Sequence, residues 1–252
     1  MERREFLKQC CTAGPVLLAT VRIGAAPPQA GAAAAAQAPP YNPSEHFYGM
    51  AIDVSKCIGC GRCVDACKSE NDVPREPQCF RTWIERYSIM ENGEPVVESP
   101  NGGLDGFSPA AEKGVVRSFF VPKLCNQCEN PPCVQVCPVG ATYLTPDGVV
   151  LVDRDYCVGC RYCIQACPYG ARFLDPRTHT AEKCTFCYHR VVKGLTPACV
   201  EVCPTGARMF GEVHQRNSPL THFRRLSQLQ VLKPNLNTKP KVYYANLDGE
   251  VR

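Results

Sequence analysis

The chain has 252 residues, of which 44% are hydrophobic, and a formal net charge of +4. This length allows one large domain or two small ones, and the small positive charge, with no basic stripe interleaved with aromatic residues, excludes nucleic acid as an expected partner. Nineteen cysteines, 23 prolines and 19 glycines predict a loop-rich protein whose core depends on more than packed side chains.

Residues 1–40 are predicted to be an export signal followed by a linker rich in alanine and proline. A twin arginine, Arg3-Arg4, precedes a short apolar stretch and the tract GAAPPQAGAAAAAQAPP. This order is typical of signal peptides, and the paired arginines resemble a twin-arginine (Tat) signal, a route that exports folded proteins. No segment reaches membrane-spanning length, so we expect a periplasmic protein that is peripheral to the membrane through its partners.

After this signal, sixteen of the seventeen remaining cysteines fall into four groups. The first and third groups share the spacing C-x2-C-x2-C-x3-C, and the second and fourth share the ending P-x-C-V-x-V-C-P-x-G-A. The chain is therefore an internal repeat of two alternating units. The groups are Cys57, Cys60, Cys63 and Cys67; Cys125, Cys128, Cys133 and Cys137; Cys157, Cys160, Cys163 and Cys167; and Cys184, Cys187, Cys199 and Cys203.

These cysteines could form three kinds of cross-link: disulfides, structural zinc sites or iron–sulfur clusters. Disulfides suit an exported protein, but three cysteines two residues apart cannot all reach well-separated partners. A structural zinc site uses two C-x2-C pairs and has no place for a third cysteine three residues on. The run C-x2-C-x2-C-x3-C-P is the bacterial ferredoxin signature for [4Fe–4S] clusters. Gly59 and Gly159 lie inside these loops, where we expect a positive φ.

Short elements are predicted around the cysteine groups. Helices should follow the third cysteine of each run, as in VDACKSEN (64–71). Strands should flank the Asn92-Gly93 turn, and TYLTPDGVVLVD (142–153) should form a hairpin. Near the end, a short helix is predicted within 219–230 and a strand within 241–247.

No cysteine group is predicted to close a cluster on its own. In two-cluster ferredoxins the fourth cysteine of each run ligates the other cluster. Spacing alone allows the second group to pair with the third, or the third with the fourth.

The four groups, together with FVPKLCNQCENPPCVQVCPVGA, DYCVGCRYCIQACPYGARF and KCTFCYHR…PACVEVCPTGA, resemble a known family. The chain is similar, over about residues 47–211, to the four-cluster ferredoxin-type electron-transfer subunits of molybdopterin oxidoreductases. These include the dimethyl sulfoxide, polysulfide and tetrathionate reductases, and similar subunits serve formate-dependent nitrite reduction. One departure is Lys68, which stands where the other groups have proline after the last cysteine.

The resemblance implies four [4Fe–4S] clusters with nested ligand sets. It assigns Cys57, Cys60, Cys63 and Cys203 to cluster 1; Cys67, Cys184, Cys187 and Cys199 to cluster 2; Cys125, Cys128, Cys133 and Cys167 to cluster 3; and Cys137, Cys157, Cys160 and Cys163 to cluster 4.

The expected fold class is α+β, with tandem ferredoxin-like modules in a nested arrangement, β-hairpin insertions and an irregular C-terminal tail. The expected divisions are a signal and linker (1–40), an outer module (47–79 and 180–211), a hairpin and loop insertion (80–122), an inner module (123–179) and a C-terminal extension (212–252).

The expected function is electron transfer without catalysis, because every iron of the four cubes would carry four sulfur ligands. The family implies two kinds of partner: an integral membrane quinone-reactive subunit, and a catalytic subunit of molybdopterin type or a cytochrome. The alternatives are a free-standing iron–sulfur enzyme, which would need a missing ligand, and a protein stapled by zinc. A cluster-based sensor is disfavoured by export.

Several chemistry-bearing residues lie outside these assignments. Cys79 is predicted to be a buried apolar residue, and the five histidines form no ligand-spaced cluster. Basic residues next to the cysteine groups could offset cluster charge, meet a partner or lie on ordinary solvated surface. They are Lys56, Arg62, Lys123, Arg161 and Lys183.

Overall fold

The structure is a computed structural model that describes residues 41–108 and 114–251. The predicted export signal, residues 1–40, lies outside these described ranges. Short helices combine with four small sheets, so the predicted α+β class is confirmed. None of the described helices is long and apolar enough to cross a lipid bilayer.

The elements are short, as expected for a chain rich in proline and glycine. The helices are α1 (Arg62–Glu70), α2 (Pro132–Gln135), α3 (Tyr162–Gln165), α4 (Tyr188–Val191), α5 (Ala198–Glu201) and α6 (Pro219–Leu226). The strands are β1 (Tyr48–Asp53), β2 (Thr82–Met90), β3 (Pro95–Glu98), β4 (Val115–Leu124), β5 (Thr142–Leu144), β6 (Val150–Val152), β7 (Arg172–Leu174), β8 (Ala181–Lys183), β9 (Arg208–Glu212), β10 (Leu229–Gln230) and β11 (Val242–Ala245).

The four-stranded sheet joins segments from both ends of the described chain. Its order is β10-β11-β1-β9, with β1 parallel to β11 and antiparallel to β9. Met50 on β1 pairs with Val242 on one side and with Phe210 on the other. Every residue of β1 is buried, which is expected for a strand covered on both faces. This sheet therefore holds the C-terminal strand β11 beside β1, the strand that precedes the first cysteine group.

The three-stranded sheet has the order β3-β2-β4 and is antiparallel throughout. The predicted hairpin at Asn92-Gly93 is confirmed: Gly93 has a φ of +81°, and Asn92 Oδ1 accepts a hydrogen bond from the Glu94 amide. The sequence analysis missed β4, which pairs with β2 from Leu124 to Val115. Pro122 lies within β4, and its position obscured the strand signal.

Two-stranded ladders follow the second and third cysteine groups. The predicted hairpin within 142–153 is confirmed as β5 paired with β6. The ladder of β7 and β8 is the corresponding element of the next repeat, and it places Arg172 directly opposite Lys183. Both side chains are buried, so this ladder carries two basic groups into the interior.

The cysteine loops have the backbone that the sequence predicts. Gly59 and Gly159 have φ values of +69° and +68°. A Cβ atom on Gly159 would lie 2.4 Å from the carbonyl oxygen of His179, so only glycine fits there. The predicted helix after the third cysteine is confirmed as α1, and α2, α3 and α5 are its short counterparts.

The prediction of an irregular C-terminal tail is wrong. The predicted helix and strand both exist, as α6 and β11, and β11 occupies an interior position of the four-stranded sheet. Tyr244 on β11 is fully buried and donates a hydrogen bond to the carbonyl oxygen of Pro122 at 3.1 Å. The local pattern predicted the strand, but its partner β1 is too distant in sequence to be identified from local pattern alone.

Candidate iron–sulfur sites

The first candidate site is a cavity between the loop that precedes α1 and the turn that follows α5. Ile84, Pro122 and Arg208 contribute to its wall. Four cysteines line it: Cys57, Cys60, Cys63 and Cys203. The structure therefore brings the last cysteine of the fourth group to three cysteines of the first.

The second candidate site consists of four buried cysteines: Cys67, which lies on α1, and Cys184, Cys187 and Cys199. Burial, followed by the charges of Cys184, Cys199 and Cys187, raises the pKa of the Cys67 thiol. The side-chain amide of Asn71 links the two segments, because its Nδ2 lies 3.7 Å from Cys67 Sγ and 3.5 Å from Cys187 Sγ. The last cysteine of the first group thus lies among three of the fourth.

The third candidate site is a small cavity between the second and third cysteine groups. Burial raises the pKa of the Cys128 thiol to about 12, and the charge of Cys125 adds to this effect. The guanidinium-bearing side chain of Arg172 contributes to the wall. The cysteines that line the cavity are Cys125, Cys128, Cys133 and Cys167.

The fourth candidate set, Cys137, Cys157, Cys160 and Cys163, lies on or next to α2 and α3, which pack together. Cys163 belongs to a small apolar cluster against which Cys157 packs. Backbone amides point at two of the sulfurs: the Thr142 nitrogen lies 3.5 Å from Cys137 Sγ, and the Ala181 nitrogen lies 3.4 Å from Cys157 Sγ. Hydrogen bonds of this kind to cluster ligands tune reduction potentials.

The donor set of these sites, four thiols each, suits a [4Fe–4S] cluster. Within residues 41–108 and 114–251, no three His, Cys, Asp or Glu side chains come close enough to hold one metal ion. At the first and third sites the cysteines surround a cavity instead. In a [4Fe–4S] cube each thiolate binds a different iron, so the four ligands are spaced around a core.

The electrostatics also fit an anionic group. Arg172, Lys183 and Arg208 are buried among the cysteines. Within the described part of the chain, no carboxylate forms an ion pair with any of them. Uncompensated buried cations are strongly disfavoured. A [4Fe–4S] core with four thiolates carries about two negative charges when oxidised, and it would supply the missing compensation.

The second and third sites adjoin each other through Gln127. Its Nε2 donates a hydrogen bond to the Cys184 carbonyl oxygen at 2.7 Å, and its Oε1 accepts one from the Val150 amide at 2.8 Å. Burial raises the pKa of the Cys184 thiol to about 12, and neighbouring thiols including Cys125 add to the shift. A buried polar bridge therefore connects the two sites.

The exposure of the cysteines follows a pattern along the four sites. All four cysteines of the second site are buried, and the third site has three buried cysteines and one half-buried. The first and fourth sites each contain one exposed cysteine, Cys60 and Cys160 respectively. Two of the four candidate sites thus contain an exposed cysteine, and two do not.

Sequence analysis missed several polar residues at these sites, namely Asn71, Gln127, Arg172 and Arg208. A usable signal exists only for the arginines, because both follow the repeated sequence C-P-x-G-A. Their burial distinguishes them from exposed basic residues, and burial depends on tertiary structure, so it could not be predicted from the sequence.

The residues set aside earlier have ordinary environments. Cys79 is buried, as predicted. Lys56 is half-exposed and lies 3.5 Å from a carboxylate oxygen of Asp53, and Lys123 pairs with Glu85 at 2.7 Å. Of the basic residues next to the cysteine groups, only Lys183 is buried without a carboxylate partner among the residues described.

Comparison with known proteins identifies the family of the chain. Residues 56–141 and residues 116–213 each match a family described as a 4Fe–4S dicluster domain. Together the two matches cover all four cysteine groups.

Three relatives illustrate the similarity. The B subunit of tetrathionate reductase from Salmonella typhimurium is 40% identical over 206 residues, which cover 81% of this chain and 74% of that one. The protein of the same name from Archaeoglobus fulgidus is 45% identical over 202 residues (80% and 83%). The B subunit of polysulfide reductase from Wolinella succinogenes is 40% identical over 200 residues (78% and 92%). The protein described here belongs to the 4Fe–4S dicluster family that includes these B subunits.

Proposed function

We propose that this chain is the electron-transfer subunit of an oxidoreductase complex and relays electrons through four [4Fe–4S] clusters. The observation that carries the proposal is the exposure pattern of the sixteen cysteines: buried sites in the middle and an exposed cysteine, Cys60 or Cys160, at each outer site. This pattern suits a relay, because electrons must enter and leave near the surface while the interior clusters are shielded from solvent.

The proposed ligand sets are the four nested sets given above. The cavity shared by Cys203 and the first group supports cluster 1, and the charges around Cys67 support cluster 2. The cavity shared by Cys167 and the second group supports cluster 3. Cluster 4 rests on the packing of α2 against α3 and on the third group's spacing.

The nested arrangement gives the proposed clusters an order. Clusters 1 and 2 share the first and fourth cysteine groups, and clusters 3 and 4 share the second and third. The contact of Cys184 with Gln127 and the proximity of Cys125 to Cys184 join cluster 2 to cluster 3. The relay therefore runs 1-2-3-4, with one electron leaving each cluster as the next cluster gains it, and no bond is made or broken.

Complete ligation favours transfer over catalysis at the clusters. Each proposed set contains four cysteines, so every iron has a protein thiolate in addition to three cluster sulfides. Substrate binding to iron requires an open position. Chemistry therefore belongs to a partner, which we propose is a subunit that holds molybdopterin or is a cytochrome.

Exposed apolar side chains lie near both exposed ligands in sequence. Ile58 lies within the first-site loop, Val158 within the fourth-site loop, and Tyr156 and Tyr162 on either side of that loop. Exposed apolar and aromatic side chains are typical of protein contact surfaces. We propose that these two ends contact the redox partners, of which one is a quinone-reactive membrane subunit and the other the catalytic subunit.

The proposed location is the periplasm, reached by the twin-arginine route. Clusters would be inserted in the reducing cytosol before export, since bare thiols oxidise outside it. The Arg3-Arg4 pair and the apolar stretch after it support this route.

Capture of the complex from anaerobically prepared native membranes tests the function. An antibody against this chain should recover a membrane subunit together with a molybdopterin subunit or a cytochrome. Adding a quinol to the captured complex should reduce the iron–sulfur clusters, seen by electron paramagnetic resonance (EPR). Recovery of the chain alone, from membranes in which quinol reduces no cluster of this chain, would contradict the proposal.

A further inference from the structure

Two buried arginines occupy equivalent positions in the internal repeat. Arg172 and Arg208 each lie five residues after the last cysteine of a group, in the sequence C-P-x-G-A-R. Each is the first residue of a strand, β7 or β9. The second group ends in C-P-V-G-A-T, so Thr142 takes the equivalent position there.

Arg208 lies between the first and second candidate sites. It is 3% exposed, and its Nη2 lies 3.4 Å from Cys63 Sγ and donates to Thr82 Oγ1 at 2.8 Å. Burial lowers the pKa of Arg208, but the charges of Cys63 and Cys199 outweigh burial, so its pKa lies above the usual range. Cys63 belongs to the first site and Cys199 to the second.

Arg172 lies beside the third and fourth candidate sites. It contributes to the wall of the third, and Thr142, to which it donates a hydrogen bond, has its amide nitrogen 3.5 Å from Cys137 Sγ. Arg172 is 5% exposed, and its Nη1 donates to Thr142 Oγ1 at 3.3 Å. Burial lowers the pKa of Arg172, and the charges of Cys133 and Cys163 more than offset it. Cys133 belongs to the third site and Cys163 to the fourth.

Each arginine has one buried guanidinium nitrogen that makes no hydrogen bond within the described residues. Arg172 Nη2 and Arg208 Nη1 are buried and have no hydrogen-bond partner in the described structure. Neither side chain forms an ion pair with a carboxylate among the described residues. A guanidinium is protonated at all accessible pH values, so each site holds a fixed positive charge.

A fixed positive charge beside a cluster has a definite effect on its reduction. The reduced cluster carries one more negative charge than the oxidised cluster, so a nearby cation stabilises the reduced form more. Local charge and hydrogen bonds to sulfur are known controls of cluster potential, and a buried charge is weakly screened. A cation between two clusters raises the potentials of both.

We propose that Arg208 raises the reduction potentials of clusters 1 and 2, and that Arg172 raises those of clusters 3 and 4. This inference rests on the proposed ligand sets. Each arginine is a positioning residue that serves one pair of clusters, so the two pairs are tuned separately.

The test is to replace each arginine by glutamine and to measure all four cluster potentials by EPR-monitored redox titration with dithionite. Arg208→Gln should lower two of the four potentials and leave the other two unchanged. Arg172→Gln should lower the complementary two. Each variant is therefore the matched control for the other. Arg117→Gln, at an exposed arginine paired with Asp248, should change none.

Lysine variants separate charge from structure. Arg208→Lys and Arg172→Lys keep the positive charge but lose the planar fork, and they should retain the parent potentials within the error of the titration. If the glutamine variants do not assemble clusters, the lysine variants decide the question: retained potentials support the proposal, and a fall in potential overturns it.

Iron content distinguishes this inference from the proposed function. A parent protein without four clusters would defeat the ligand assignment itself. Glutamine variants with the parent's iron content and four unshifted potentials would overturn only the role of the arginines. A shift of one potential alone, or of one cluster from each pair, would also overturn it.

Discussion

At the scale of single residues, the cysteines are the part of the site that the sequence predicts best. The spacing C-x2-C-x2-C-x3-C identifies the cofactor class because few other structures need three ligands so close together. Spacing does not identify the donor of the fourth ligand. Cys67 lies near cysteines of the fourth group and Cys203 near cysteines of the first only in the folded chain. Before the structure, these pairings were implied by the family resemblance alone.

Cys203→Ser tests the nested pairing at this scale. Cys203 lines one cavity with Cys57, Cys60 and Cys63, so we expect loss or conversion of cluster 1 alone. The cluster held by Cys184, Cys187 and Cys199 should remain at first. EPR spectra and iron content of the anaerobic variant measure both effects.

The matched control is Cys79→Ser, at a buried cysteine outside every proposed set. It should retain the full complement of iron. Loss of cluster 2 rather than cluster 1 in Cys203→Ser would show that the assignment of the fourth ligands is reversed.

The buried arginines show the limit of prediction at the residue level. Arg172 and Arg208 follow the repeated sequence C-P-x-G-A, but that sequence does not show that they are buried. Arg62 and Arg161 lie nearer to cysteines and are exposed. Only the strands β7 and β9 carry the first pair into the interior. Sequence reasoning favoured the adjacent residues because proximity along the chain is visible and burial is not.

At the scale of elements, local pattern predicted strands and turns but not their partners. The turns at Asn92-Gly93 and within 142–153 were predicted because their residues favour tight turns. Strand β4 was missed because proline and a following cysteine motif interrupt its pattern. Strand β11 was predicted, whereas its pairing with β1 depends on tertiary contacts.

Tyr244 tests the contribution of β11 to stability. Its side chain is fully buried, and its hydroxyl donates to the Pro122 carbonyl oxygen on β4. Tyr244→Phe should destabilise the protein by about 1 kcal/mol through the lost hydrogen bond. Tyr244→Ala should cost about 3–5 kcal/mol, because it leaves a cavity in the core.

Heating the anaerobic protein while following the visible absorption of its clusters measures this ranking. The temperature of cluster release should fall slightly for Tyr244→Phe and strongly for Tyr244→Ala. Tyr156→Ala, at an exposed tyrosine, should leave it unchanged. Equal release temperatures for all three variants would mean that β11 does not support the cluster sites.

At the scale of the whole molecule, the fold and the cofactors depend on each other. Cysteines and a buried arginine, Arg208 or Arg172, line two of the candidate sites, and neither arginine has a carboxylate partner within the described residues. Bound clusters would bridge segments that are distant in sequence and would neutralise those cations. Metal binding is then part of the folding free energy, and removal of iron should unfold the chain.

The proposed export route is tested at the paired arginines, Arg3 and Arg4. Replacing Arg3 and Arg4 together by lysine should leave the protein in the cytoplasm with its clusters, because twin-arginine export depends on the paired arginines. Cell fractionation followed by immunoblotting measures this. The control Arg22→Lys, at the end of the apolar stretch, should be exported. Normal export of the double variant would contradict the proposed route.

The most direct measurement of the central claim is iron and acid-labile sulfide per chain in anaerobically purified protein, combined with EPR after dithionite reduction. The four-cluster relay predicts about sixteen irons and about sixteen sulfides per chain and a paramagnetic signal from interacting reduced clusters. Colourless protein, an iron content far below that number, or no paramagnetic signal after reduction would contradict it.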